Sequence, residues 1–338
     1  MARRVRKRLS DTGGGAYFLA PPASIDFIPT GATPLDRVLG GGWARGRVSN
    51  VIGDKSTGKT LLAIEAMANF AQLFPKERCR YGEAEAAFDL GYAEVLGCPL
   101  DKVKLPEEPM ETVEAFFDDI QTVLTDKKSK VGLYILDSLD ALSDVAEMKE
   151  DIDKGSYGTG KAKKLSQTFR RIVRKVEQTN MHLMIVSQTR QRIGVTFGRQ
   201  YTRGGGKALD FYASQILYLS HVGEIARNVG GIKRTVGIDI KAKCTKNKVG
   251  FPFRTCDFPI LLGYGIQDIA ACIDWLITNK QWEKTGHSKS KLEEIRKKAM
   301  ATTLSDPEGW REVLSDAVNE GWREVETTFL PKQRKYTS

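Results

Sequence analysis

No Cys-x-x-Cys pair occurs in this chain. Its five cysteines, Cys79, Cys98, Cys244, Cys256 and Cys272, are scattered and odd in number. That argues against a disulfide framework and a zinc site, and for a reducing compartment. Long apolar runs are also missing: none approaches the ~20 residues that cross a bilayer, so no membrane partner is expected. The basic opening, Met1 to Arg8, is not followed by an apolar segment of signal-peptide type, and the expected location is cytoplasmic. No internal repeat is visible. The 338 residues, 41% apolar and 28% charged, suffice for one large core and a smaller satellite domain. A net charge of +10 suggests a polyanionic partner, with a weight set by where the charge sits.

One segment fits a phosphate-loop template at every fixed position: Gly53-Asp54-Lys55-Ser56-Thr57-Gly58-Lys59-Thr60. A strand candidate, Arg47 to Ile52, precedes it and an apolar helix, Leu61 to Phe70, follows, which is the context the motif needs. The glycines let backbone N–H groups turn inward on phosphates, the helix N-terminus adds a positive dipole end, and Lys59 supplies a mobile charge. Thr60 is placed to offer its hydroxyl to Mg²⁺. A bound nucleoside triphosphate is the expectation.

Three regions follow from composition. Residues 1–27 form a basic arm that turns glycine-rich, then apolar (Ala16 to Ala20), then stiff at Pro21-Pro22, as a docking segment would. Residues 28–270 alternate helix patterns with apolar strands at Val48–Ile52, Arg80–Gly82, Gly132–Leu136, His182–Val186, Gln215–Leu219, Thr235–Ala242 and Thr255–Leu261. Several are apolar throughout, as in strands covered on both faces. The predicted class is α/β with one central, mostly parallel twisted sheet, turning to antiparallel hairpins after residue 215. Residues 271–338 read as a small helical domain, with helices over Ala271–Asn279, Lys289–Thr302 and Pro307–Phe329 and a basic tail.

Asp137 ends the apolar strand Gly132–Leu136, where an acid holds Mg²⁺ beside phosphates. Glu85 follows the second strand and is the candidate base for an attacking water. Gln188 lies just past His182–Val186, where a side chain can sense a γ-phosphate. Two stretches concentrate the basic charge. One runs from Lys161 to Lys175 and contains no acid. The other runs from Thr189 to Lys207, glycine-rich, basic and aromatic, and too long for an ordinary connection. Arg190, Gln191, Arg192, Ile193, Gly194 and Phe197 lie in it, with Gly205, Gly206 and Lys207 at its end. Such a segment can neutralise phosphates while apolar groups stack on bases.

Taken together, these residues resemble the RecA-type homologous recombinase family, in a phage-like form of the RecA/UvsX kind. The likeness runs from Ile28-Pro29-Thr30-Gly31 through Gly265-Ile266. The resemblance implies a RecA-like P-loop ATPase core using ATP and Mg²⁺. It puts Glu85 on the catalytic glutamate, Asp89 and Tyr92 on the acid and aromatic that contact adenine, and Asp137-Ser138 on the magnesium strand. Gln188 matches the glutamine that couples the γ-phosphate to the second DNA loop. Lys246 and Lys248, within Lys243 to Lys248, match two lysines that reach a neighbour's γ-phosphate, and Phe211 falls on the same protomer interface. Ser166 and Arg170 would touch DNA near the first loop. Tyr17 and Phe18 are expected to anchor the arm in an adjacent protomer.

The implied activity is pairing of single-stranded DNA with a homologous duplex and strand exchange, by a head-to-tail helical filament with DNA-stimulated ATP hydrolysis in a bacterial host cytoplasm. Asp54-Lys55 replaces the usual Pro-Glu of bacterial members, and Ala86 stands where they carry His. Two other classes compete. One is a ring helicase or motor on the same core, which usually supplies an arginine finger. The other is a regulatory relative that keeps its nucleotide inert, against which Glu85 argues.

Overall fold

The computed structural model describes residues 24–85, 88–105, 108–126, 128–149, 159–191, 201–203, 207–302 and 309–331. A short antiparallel pair, β1 (Phe27–Ile28) with β2 (Trp43–Ala44), brackets helix α1 (Thr33–Leu39). The main sheet then begins. Its strands are β3 (Val48–Gly53), β4 (Arg78–Glu83), β5 (Val103–Lys104), β6 (Val131–Asp137), β7 (His182–Gln191), β9 (Gln215–Val229), β10 (Ile232–Asn247), β11 (Arg254–Leu261) and β12 (Gly265–Ile266). They lie in the order β12-β11-β10-β9-β3-β7-β6-β4-β5, with β8 (Tyr201–Arg203) attached to β7. From β9 to β5 the main-sheet pairings are parallel, and from β9 to β12 they are antiparallel.

Burial explains the central strands. Every residue of β3 is buried, as are all of β6 but Val131, because helices cover both faces. On one face α2 (Lys59–Leu73) packs with α1 on a core containing Leu62, Met67, Phe70, Leu133 and Leu217. On the other, α4 (Val113–Thr125) and α6 (Thr159–Gln178) cover Tyr134, Leu136, Leu183 and Ile185. Thr112 caps α4 by accepting from Ala115 N at 3.1 Å. The helix buries Val113, Phe116, Ile120 and Leu124 along one stripe. The short helix α3 (Leu90–Val95) precedes α4 in sequence, and the short helix α5 (Val145–Lys149) lies between α4 and α6.

Beyond β8 come α7 (Lys207–Tyr212) and, after β12, α8 (Asp268–Thr278), α9 (Lys289–Thr302) and α10 (Trp310–Phe329). The last three enclose their own cluster, built on Ile273, Leu276, Leu292, Leu314 and Val318, with Trp275 stacked on Trp322 at 5.5 Å. Among the described residues no helix is long and apolar enough to cross a membrane.

The expected strands are all present, but three features exceed the reading. Strands β9 and β10 continue to Val229 and back from Ile232, well past the apolar stretches that signalled them. Backbone pairing across the Gly230-Gly231 turn, both at positive φ, sustains them without burial. Strand β7 runs on to Gln191, and β8 returns antiparallel on it. Helix α8 begins at Asp268, three residues ahead of the expected Ala271.

Candidate functional site

Register builds the site. Gly53 pairs with Gln188, Leu136 with Ile185 and Glu83 with Asp137, so β3, β6 and β4 end close to Gln188 on β7, which runs on past them. The side chains that leave those ends therefore converge.

Between β3 and α2 the loop Asp54 to Gly58 folds over a single carbonyl. Lys59 Nζ donates to Asp54 O at 2.7 Å and Thr57 Oγ1 donates to the same oxygen at 2.9 Å. Gly58 has φ of 79°, a left-handed conformation that favours glycine, and a Cβ there would also press on Ile260 Cδ1 at 2.5 Å. Asp54, Lys55 and Ser56 are exposed at the loop's outer edge. Burial lowers the Lys59 ammonium from its ordinary value, against the pull of Asp137, Glu85, Asp54 and Asp140. A phosphate group in the loop would restore its full charge.

Thr60 Oγ1 donates to Asp137 Oδ2 at 2.7 Å, and Tyr81 OH donates to the same oxygen at 2.8 Å. Burial raises the Asp137 carboxyl above its usual range, outweighing both of these bonds. A divalent cation would reverse that shift, and a carboxylate beside a hydroxyl is the hard oxygen pair Mg²⁺ accepts. Among the described residues no group of three His, Cys, Asp or Glu side chains could hold a metal alone.

Glu85 stands exposed after β4, and Glu83 fixes its turn: Glu83 Oε1 accepts from Glu85 N at 2.9 Å and Oε2 from Phe88 N at 3.1 Å. The Glu85 carboxylate reaches across the strand ends. Its Oε1 accepts from Ser138 Oγ and, at 2.6 Å, from Gln188 Nε2. Gln188 N in turn donates to Asp140 Oδ2 at 2.7 Å. Lys59, Thr60, Asp137, Glu85 and Gln188 thus form one connected cluster. Sequence reasoning missed the roles of Ser138, Tyr81, Glu83 and Asp140. Their only signal was placement at or beside the same strand ends.

Other expected residues lie apart from this cluster. Asp89 caps α3, its Oδ1 accepting from Tyr92 N at 3.0 Å, and the Tyr92 ring is half-buried against the core. On α6, Ser166 is half-buried and Arg170 exposed. Three basic neighbours are used locally: Lys164 pairs with Glu114 and Asp144, Lys161 donates to Asp140 O, and Arg171 lies over the Phe117 ring. Lys246 Nζ donates to Asp210 O at 2.6 Å and Phe211 O at 2.9 Å, at the C-terminal end of α7. Lys248 is exposed, and its N–H donates to Ser214 O at 2.9 Å. Phe211 is 72% exposed, and Phe251 and Phe253 are also in solvent.

The second basic stretch is described only at its ends. Thr189, Arg190 and Gln191 pair with Arg203, Thr202 and Tyr201, and Lys207 opens α7. Arg192, Ile193, Gly194, Phe197, Gly205 and Gly206 lie outside the described residues, as do Tyr17 and Phe18.

A family profile for the RecA N-terminal domain matches residues 19–267. Protein RecA of Ectopseudomonas oleovorans is 35% identical over 263 residues, 78% of this chain and 72% of its own. Protein RecA of Methylococcus capsulatus (strain ATCC 33009 / NCIMB 11132 / Bath) is 35% identical over 269 residues, 79% and 74% respectively. Protein RecA of Delftia acidovorans (strain DSM 14801 / SPH-1) is 33% identical over 263 residues, 78% and 69%. With a matched family over most of its length and the strand-end cluster inside that match, the chain belongs to the RecA-type recombinase family.

Proposed function

We propose that this chain is an ATP-dependent homologous recombinase that forms helical filaments on single-stranded DNA and exchanges strands with a homologous duplex. The observation that carries this reading is the strand shared by two tasks. β7 presents Gln188 to Glu85 and then continues into the basic, glycine-rich stretch. A ligand that draws Gln188 away from Glu85 acts directly on the segment that would grip DNA.

In this reading the loop Gly53 to Thr60 cradles the ATP phosphates and Lys59 leaves Asp54 O for them. Thr60 and Asp137 would hold Mg²⁺, which neutralises phosphate charge when bound. Glu85 orients and deprotonates the attacking water through Oε2, since Oε1 already accepts two hydrogen bonds. Asp89 and Tyr92 receive the adenine. Ser166 and Arg170 touch DNA from α6, while Arg190, Gln191, Arg192, Ile193, Gly194, Phe197, Gly205, Gly206 and Lys207 do so from the second stretch.

Lys246 and Lys248 complete the site of the next protomer. The exposed Phe211, Phe251 and Phe253 support an interface on that side. The arm, residues 1–27, docks through Tyr17 and Phe18, residues 28–270 carry nucleotide and DNA, and residues 271–338 form the helical satellite. Such a contact between unlike surfaces grows as an open helix when its rotation does not close.

Electron microscopy with single-stranded DNA and a slowly hydrolysed ATP analogue separates this from the ring-motor alternative. Helical filaments are expected, and closed rings would overturn the proposal. A strand-exchange assay on homologous substrates tests the activity itself.

A further inference from the structure

β9 pairs with β3 only as far as Leu219, and β10 pairs with β11 only from Gly237 onward. Past those points the two strands pair with each other alone, in the register Ala226–Thr235, Arg227–Arg234, Asn228–Lys233 and Val229–Ile232. At ~3.4 Å per residue this ribbon extends roughly 15–20 Å beyond the sheet.

Residues directly opposite share a face, so Arg227 and Arg234 lie side by side with Val229 and Ile232 at the tip. Like charges in that position destabilise a ribbon. No acid lies between Ile225 and Val236 to offset them. Glu224, just before, accepts from Thr235 Oγ1 at 2.8 Å. Arg227 donates to Met300 O at 2.5 Å. Among the described residues, Lys233 and Arg234 form no ion pair. Charges that merely keep a hairpin soluble would explain the cations. They would not explain a tip whose Val229 is 68% and Ile232 63% exposed.

The root of the ribbon lies beside the chemistry. A hollow of about 670 Å³ is lined jointly by Asp54 and Thr57 of the phosphate loop, Thr189 just after Gln188, Tyr218 of β9 within the sheet, and Glu224 and Thr235 at the ribbon's base. The ribbon therefore rises from the same edge of the sheet as the stretch that leaves β7.

We propose that this ribbon is an arm for double-stranded DNA: Lys233 and Arg234 contact phosphates, and Val229 and Ile232 lie against the groove. A two-stranded ribbon fits the major groove, and apolar tips beside arginines are a recurrent way of engaging duplex DNA. Two apolar side chains are too few to hold a membrane surface. The inference rests on the recombinase reading for its choice of partner, since the duplex is that reaction's second substrate.

The test uses the full chain and a labelled duplex, with binding followed across a salt series. Lys233→Glu combined with Arg234→Glu is expected to weaken duplex binding about tenfold or more. The slope of log affinity against log salt should become shallower by about 2, at roughly 0.9 per phosphate lost. Val229→Ser with Ile232→Ser should weaken binding while leaving that slope alone. Single-strand affinity and single-strand-stimulated ATP hydrolysis should stay at wild-type levels, which also shows that the variants are folded. Unchanged duplex affinity and slope would overturn the inference, as they would if an acidic protein were the true occupant. So would an equal loss of single-strand binding, which would make the ribbon part of the assembly surface. If the wild-type protein shows no DNA-stimulated hydrolysis, the recombinase reading fails, while the duplex comparison still decides the ribbon.

Discussion

Glu85 Oε1 accepts from two side chains of the site, Ser138 and Gln188. The two donors are unequal in what they are free to do. Ser138 is fully buried beside Asp137, whereas Gln188 is half-exposed and leads into the basic stretch. If Gln188 turns to a γ-phosphate, as proposed, Ser138 alone would keep the carboxylate aimed, and we propose Ser138 as a positioning residue. Ser138→Ala should lower kcat about tenfold with little change in the KM for ATP, since aim is lost but the phosphate cradle is not. Combining it with Gln188→Ala should give less than the product of the single effects, because both hold one oxygen. Steady-state kinetics on the four proteins decides it, and a strictly multiplicative double variant would sink the shared role. The placement of Asp137, Glu85 and Gln188 at neighbouring strand ends was legible because each ends or closely follows an apolar strand. Ser138 was not, because residue order does not tell which way a hydroxyl points past a strand end.

Among the elements, α1 and α8 meet through two acids. Asp36 Oδ1 accepts from Thr30 N at 2.8 Å, and Asp268 accepts from Thr33 N at 2.6 Å and Thr33 Oγ1 at 2.9 Å. Burial pushes Asp36 up to about 7, against the hydrogen bond from Thr30, and raises Asp268 as well. A carboxyl whose value rises on folding binds its proton more tightly in the folded state. Its contribution is complete below the unfolded value near 4 and is lost as pH climbs through about 7. Buried His182, lowered to about 4, acts in the opposite direction, so only a difference between two proteins isolates Asp36. Asp36→Asn keeps an oxygen for Thr30 and removes the titration. Relative to that variant, the wild type should lose roughly 1 to 4 kcal/mol of unfolding free energy between pH 4 and pH 8. Urea midpoints at several pH values measure this, and a constant difference would show that Asp36 does not titrate there. The helices and central strands were readable from periodicity and apolar runs. The outer halves of β9 and β10, and all of β8, were not, because cross-strand backbone pairing holds them and leaves no apolar pattern to read.

At the scale of the whole molecule, the phosphate loop announced the fold, whereas nothing in one chain displays the assembly. In the assembly proposed above, Glu85 and Lys246 would serve the same reaction from different protomers. In the structure Lys246 rests on the carbonyls of Asp210 and Phe211, at the C-terminal end of α7. The proposed head-to-tail assembly is testable by mixing. Glu85→Gln and Lys246→Ala should each abolish DNA-stimulated hydrolysis alone. In an equal mixture, an interface works when the nucleotide is held by a Lys246→Ala protomer, whose Glu85 is intact. Its neighbour must then be a Glu85→Gln protomer, whose Lys246 is intact. Each condition holds for half of the positions under random assembly, so about a quarter of wild-type turnover should return. A site completed within one chain would return none, because every protomer carries one defect. Mixing pre-formed filaments without exchange should also return none, and mixing the proteins before assembly should restore the quarter, so the recovery reports joint construction of the site.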